Sequence, residues 1–164
     1  MEAFDALVAS MDTAMVVVTV AAGDERDGCL VGFHCQCSIE PPRYAVWLSK
    51  ANRTYELASR ASHLAVHLLD AGQHELAVVF GARTGDEVDK LAGCEWTPGP
   101  GRVPLLDAAP SRFAGRIVDR IADDSDHECL VIEPVDAAGD GPERPMRLSM
   151  VDDIDPGHHA EERR

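Results

Sequence analysis

No apolar run in this chain approaches the roughly 18 residues of a membrane-spanning helix, so no membrane-embedded role is expected. Basic residues are scarce, with 15 Lys and Arg against 29 Asp and Glu and a net charge of −14. That balance argues against a general nucleic-acid or membrane-surface role. The acidic start, MEAFDALVASMD, lacks the basic segment of a secretory signal, which points to the cytoplasm. Also missing are G-x-G-x-x-G, a P-loop, G-x-S-x-G and H-E-x-x-H, so the common dinucleotide, nucleotide, hydrolase and metalloprotease fingerprints do not apply.

What is present fits one globular domain. The 164 residues are 45% hydrophobic and 27% charged, enough to bury a core without disulfide or metal support. The charge is unevenly spread. Residues 1–42 carry one Arg and seven acids, and residues 121–164 carry four Arg and thirteen acids. Residues 43–60 reverse the sign, with Arg43, Lys50, Arg53 and Arg60 against Glu56 alone. Such an island suits a small anionic ligand, and chance clustering of surface residues accounts for it equally well.

Phe4, Leu7, Val8 and Met11 fall at helical spacing and predict a short amphipathic helix. The β-branched run at 15–22 reads as a buried strand, and 23–27 as a charged turn. A second strand is predicted from about Gly28 to Ser38, stopped by Pro41-Pro42, and a third from Tyr44 to Ser49. Asn52 reads as the N-cap of a helix through Ala58. A strand at 63–69 and a helix at 73–80 follow, then a loop-rich stretch over 81–110 with a turn near Asp89. Strands at 113–121 and 127–135 complete a set of about six. Their lengths and spacing favour a closed antiparallel barrel with helices outside, and the lack of βαβ alternation counts against a Rossmann fold. Residues 1–137 are taken as the domain, and 138–164 as a loose acidic tail with room for one added strand near 146–150.

Five cysteines form an odd set, for which reduced thiols are the default. His34-Cys35-Gln36-Cys37 suggests a metal site, but Cys35 and Cys37 share one strand face while His34 takes the other. No second ligand pair has zinc spacing. The expectation is no metal, with the thiols as small core residues or as a reactive pair.

The ordered series VVVTV (16–20), GCLVGFHCQCSIEPP (28–42), LSKANRTYELA (48–58), HLAVHLLDAGQHELAVVFG (63–81) and SDHECLVIEPV (125–135) resembles the flavin reductase-like family of FMN-binding split-barrel proteins. The resemblance spans about residues 5–137. It implies a mainly β fold with short helices, a six-stranded antiparallel split β-barrel, assembled as a homodimer. It also implies FMN or FAD as cofactor, NADH or NADPH as hydride donor, and a separate monooxygenase as a partner that receives reduced flavin. By the same resemblance, His34, Cys35, Gln36, Cys37 and Ser38 line the flavin. Lys50, Ala51, Asn52, Arg53 and Thr54 form its phosphate loop, where a helix start with flanking cations is a natural anion site. Phe80 lies at the pocket as core or contact. His127, in an Asp-His pair matching a family triplet, is the catalytic candidate near the nicotinamide. A flavin carrier or thiol-based redox sensor without appreciable reductase activity is the alternative.

Overall fold

The structure, a computed structural model, describes residues 1–157. Its centre is one antiparallel sheet of seven strands in the order β2-β1-β5-β8-β9-β4-β3. These are β1 (Val16–Ala22), β2 (Glu25–Val31), β3 (His34–Ser38), β4 (Arg43–Ser49), β5 (His63–Leu68), β8 (Arg112–Ile121) and β9 (His127–Ala138). A separate two-stranded hairpin joins β6 (Trp96–Pro98) to β7 (Pro104–Leu106). The helices are α1 (Glu2–Ser10), α2 (Arg53–Ala58) and α3 (His74–Gly81).

β2 and β3 stand at opposite ends of the strand order, yet only Gly32 and Phe33 separate them in sequence. Two residues span no more than about 10 Å from Val31 to His34, so the sheet must curl until its edges meet. Phe33 extends the β3–β4 ladder, its carbonyl accepting from the Trp47 N–H at 2.9 Å. The single strand expected over 28–38 is therefore two, and the main sheet has seven strands where six were expected. The physical reason is that one half pairs with β1 and the other with β4, and a straight strand cannot serve both. The turn at 23–27 is also tighter than expected. Only Gly23 and Asp24 link β1 to β2, with Gly23 at φ 62 in the left-handed region that a two-residue hairpin uses.

β1 is buried on both faces, which is why its valines show no alternation. Val16, Val18 and Val20 point into the barrel with Val46, Leu48, Leu130 and Ile132. Val17 faces a second cluster outside it with Phe80, Leu106 and Met146. α3 presses close to β2, since a Cβ on Gly28 would sit 3.0 Å from the Phe80 ring and 2.9 Å from the Val18 carbonyl. Within the stretch read as loop-rich, the β6–β7 hairpin is fastened by Thr19 Oγ1 donating to the Pro104 carbonyl at 2.6 Å and by the Leu106 N–H donating to His67 Nε2 at 3.1 Å.

α1 forms as its spacing predicts, but none of its residues is buried. Phe4, Leu7 and Met11 remain exposed. In the segment expected to be loose, Met146 is fully buried, and its backbone bonds both Met15 and Leu69 at 2.9 Å. The Asp12 carboxylate accepts from the Ser149 N–H at 2.8 Å and the Ser149 hydroxyl at 2.9 Å. Isolated bridges at Arg147 and Pro145 and a 3-10 turn over Leu148–Met150 stand where an added strand was considered. The remainder of that segment, 158–164, lies outside the described residues.

Candidate functional site

Consecutive residues Asn52 and Arg53 face two different cavities. The first, of about 350 Å³, is of the size that takes a small organic ligand. Its walls are mainly apolar. Val31, Gly32 and Phe33 come from the β2–β3 seam, Trp47 and Ser49 from the end of β4, and Phe80 and Gly81 from the end of α3. Arg83, His127 and the carboxy-terminal residues Leu148, Val151 and Ile154 close it.

His127 begins β9 opposite Ser49 and lies tilted against Phe33, with ring centroids 5.1 Å apart. Its Nδ1 meets Asp126 Oδ1 at 2.8 Å. The hydrogen bond from His127 is the main reason the Asp126 carboxyl titrates below its ordinary value. With Nδ1–H committed to that carboxylate, Nε2 is the ring atom left for a ligand. The turn carrying this pair is clasped by Lys50. Its N–H donates to the Asp126 carbonyl at 2.9 Å, and its Nζ donates to the carbonyls of Asp123 at 2.6 Å and Ser125 at 2.7 Å.

Three of the residues singled out from sequence, Asn52, Phe80 and His127, line this pocket together. The others do not. Cys35, Gln36 and Cys37 are exposed on β3 at the edge of the sheet. Ser38 is half-buried, and Ala51 is a buried apolar residue. His34 is locked on both nitrogens, 2.7 Å from the Ala14 carbonyl through Nε2 and 2.6 Å from the Tyr44 hydroxyl through Nδ1. A carbonyl can only accept, so Nε2 carries the proton and Nδ1 accepts from Tyr44.

The basic island is engaged within the chain. Arg43 pairs with Glu133, Arg60 with Glu25 at 2.9 Å, and Arg53 with Glu25 at 3.1 Å and Asp86 at 3.8 Å. Thr54 donates its hydroxyl to Asp27 Oδ2 at 2.9 Å, and Asp27 also holds the buried Lys90 ammonium at 3.3 Å. Asn52 caps α2, its side-chain oxygen accepting from the Thr54 N–H at 3.1 Å. Charge counting along the sequence misses these acids because their partners are up to 90 residues away.

All five cysteines are free. Burial pushes the Cys29 thiol up to about 11, and burial is again the first cause that raises Cys129 to about 11. Both are poor nucleophiles at neutral pH. Among the described residues, no group of three His, Cys, Asp or Glu is placed to hold a metal ion, and no helix is long and apolar enough to cross a membrane.

Sequence reasoning missed Trp47, Arg83 and the carboxy-terminal wall. Trp47 read only as a strand residue, and Arg83 lay in a stretch read as loop.

Comparison with known proteins gives the chain a family context. Residues 8–152 match the model of the flavin reductase like domain. An FMN reductase (NADH) of Klebsiella pneumoniae is 28% identical over 115 residues, covering 70% of each chain. The reductase subunit of a flavin-dependent monooxygenase from Rhodococcus jostii is 27% identical over 76% of this chain and 62% of its own. The solved NADH:FAD oxidoreductase of Streptomyces globisporus superposes with a TM-score of 0.71 at 25% identity, covering 80% of each chain.

Proposed function

This chain belongs to the flavin reductase-like family, and from that premise we propose that the 350 Å³ pocket binds FMN or FAD and receives reduced nicotinamide. The observation that carries the reading is the convergence of Asn52, Phe80 and His127 on one apolar cavity edged by Phe33 and Trp47. Such a lining fits a flat, largely apolar ring with a few polar edges.

A bound flavin would supply the redox chemistry, as the acceptor of a hydride from reduced nicotinamide. The chain binds, orients and dries the site. Phe33 and Trp47 offer ring surface for stacking. Phe80, itself only 1% exposed, backs the wall, and Val151 and Ile154 shut out water from the carboxy-terminal side. His127 presents Nε2 to the ligand while Asp126 fixes the ring through Nδ1, so Nε2 is the atom that holds or releases a proton. Lys50 is assigned to positioning this turn rather than to contacting ligand.

NADH is the donor favoured by the name of the Klebsiella pneumoniae relative. The Rhodococcus jostii relative supports a separate monooxygenase as recipient of the reduced flavin. The exposed apolar side chains of α1 support a homodimer, and five unbridged thiols support the cytoplasm. The exposed pair Cys35 and Cys37 favours the second reading, a flavin carrier or redox sensor.

FMN titration followed by flavin fluorescence, then NADH oxidation with and without added flavin, tests the proposal. Saturable binding at micromolar protein with flavin-dependent NADH oxidation is expected. Binding without oxidation supports the carrier, and absence of binding rejects the flavin site.

A further inference from the structure

Among the described residues, no carboxylate lines the pocket, although the chain carries 29 Asp and Glu. One guanidinium, Arg83, lines it. Arg83 follows directly on Ala82, the C-cap of α3. Among the described residues its side chain has no hydrogen-bond or ion-pair partner. Arg53 differs on each point. It lines the neighbouring cavity of about 310 Å³, whose wall includes Asp24, Glu25, Asp27, Asp86 and Asp89, and two of these acids already neutralise it. An anion placed beside Arg53 meets a field of like charge, whereas one placed beside Arg83 meets an exposed cation at the edge of a mainly apolar pocket, without a partner among the described residues.

We infer that Arg83, together with the Asn52 amide, holds the phosphate of the bound flavin, in place of the Lys50–Thr54 loop. The inference rests on the flavin-site reading above and names the subsite that reading leaves open. A guanidinium offers two parallel N–H donors to phosphate oxygens. The Asn52 oxygen is occupied by the Thr54 N–H and its side chain also hydrogen-bonds Cys29, which leaves one N–H of its Nδ2 for the ligand. The pyridine nucleotide also carries phosphate, so the test must separate the two sources.

Riboflavin has the flavin ring without the phosphate, and it provides the discriminating probe. FMN and riboflavin are titrated against wild type, Arg83→Ala, Arg83→Lys and Arg53→Ala by flavin fluorescence. Losing charge-assisted bonds to phosphate should weaken FMN by about tenfold to a hundredfold in Arg83→Ala, with riboflavin nearly unchanged. Arg83→Lys should recover part of the FMN affinity, and added salt should weaken FMN more in wild type than in Arg83→Ala. Since the Arg83 side chain has no hydrogen bond or ion pair to lose among the described residues, Arg83→Ala and Arg83→Lys should melt as wild type does. Equal effects on FMN and riboflavin overturn the inference, as does a selective FMN loss in Arg53→Ala. A raised KM for NADH in Arg83→Ala with unchanged FMN affinity assigns the residue to the pyridine nucleotide and also overturns it. Failure of wild type to bind either flavin removes the flavin site itself, a result distinct from failure of Arg83 alone.

Discussion

Replacing Lys50 separates the two roles open to it. Its ammonium spans the turn before β9, donating to the carbonyls of Asp123 and Ser125. Lys50→Met keeps the apolar stem and deletes both bonds. The backbone bond from Lys50 to the Asp126 carbonyl survives, and the turn is largely exposed, so solvent replaces much of what is lost. A charged donor bond contributes about 1.5–3 kcal/mol at best, and exposure reduces the pair to about 1 kcal/mol in total. That is a factor of about five in the local opening equilibrium. Hydrogen exchange of the Ser125 amide, which donates to Asp123 Oδ1 at 2.8 Å, should accelerate by this factor. Because His127 rides on a turn that stays mostly closed, kcat/KM for NADH should fall by less than about twofold, while the ratio of FMN to riboflavin affinity stays at its wild-type value. A selective loss of FMN affinity, with exchange at 125–127 unchanged, would refute the positioning role and return Lys50 to the phosphate.

Stability should depend on pH through His67, which is fully buried and pushed down to about 4, first by burial. The native ring stays neutral while the unfolded chain takes up a proton near pH 6.5. Stability is therefore complete above 6.5 and lost as pH falls from 6.5 to 4, by about 2 kcal/mol at pH 5 relative to pH 7. Urea midpoints should show this loss in wild type and not in His67→Gln, and parallel pH profiles would sink the assignment. Thiol titration under native conditions should find Cys35 and Cys37 reacting first, with Cys29 and Cys129 silent until denaturant is added. Rapid labelling of Cys29 would contradict its burial.

Much of the architecture is legible locally. The β-branched run at 15–22, the stop at Pro41-Pro42 and the cap at Asn52 are short-range effects, and each appears within a residue of where the sequence predicts it. Periodicity also found α1, but it could not tell whether the apolar stripe is covered, since that depends on what packs against it. The β2–β3 break escaped for a related reason. Nothing in 28–38 forbids a continuous strand, and it divides because its two halves pair with strands at opposite ends of the sheet.

The order of motifs along the chain, from the valine strand to Asp126-His127, was enough to indicate the family and its barrel architecture. Local chemistry and the order of motifs survive in one dimension. Which cations remain available to a ligand was decided only by folding. Arg53 sits 28 residues from Glu25 and meets it across the fold, while Arg83, inconspicuous in sequence, lines the apolar pocket. Electrostatic pairing depends on distance in space, so the charge island at 43–60 became structural and an arginine outside it became the proposed ligand contact.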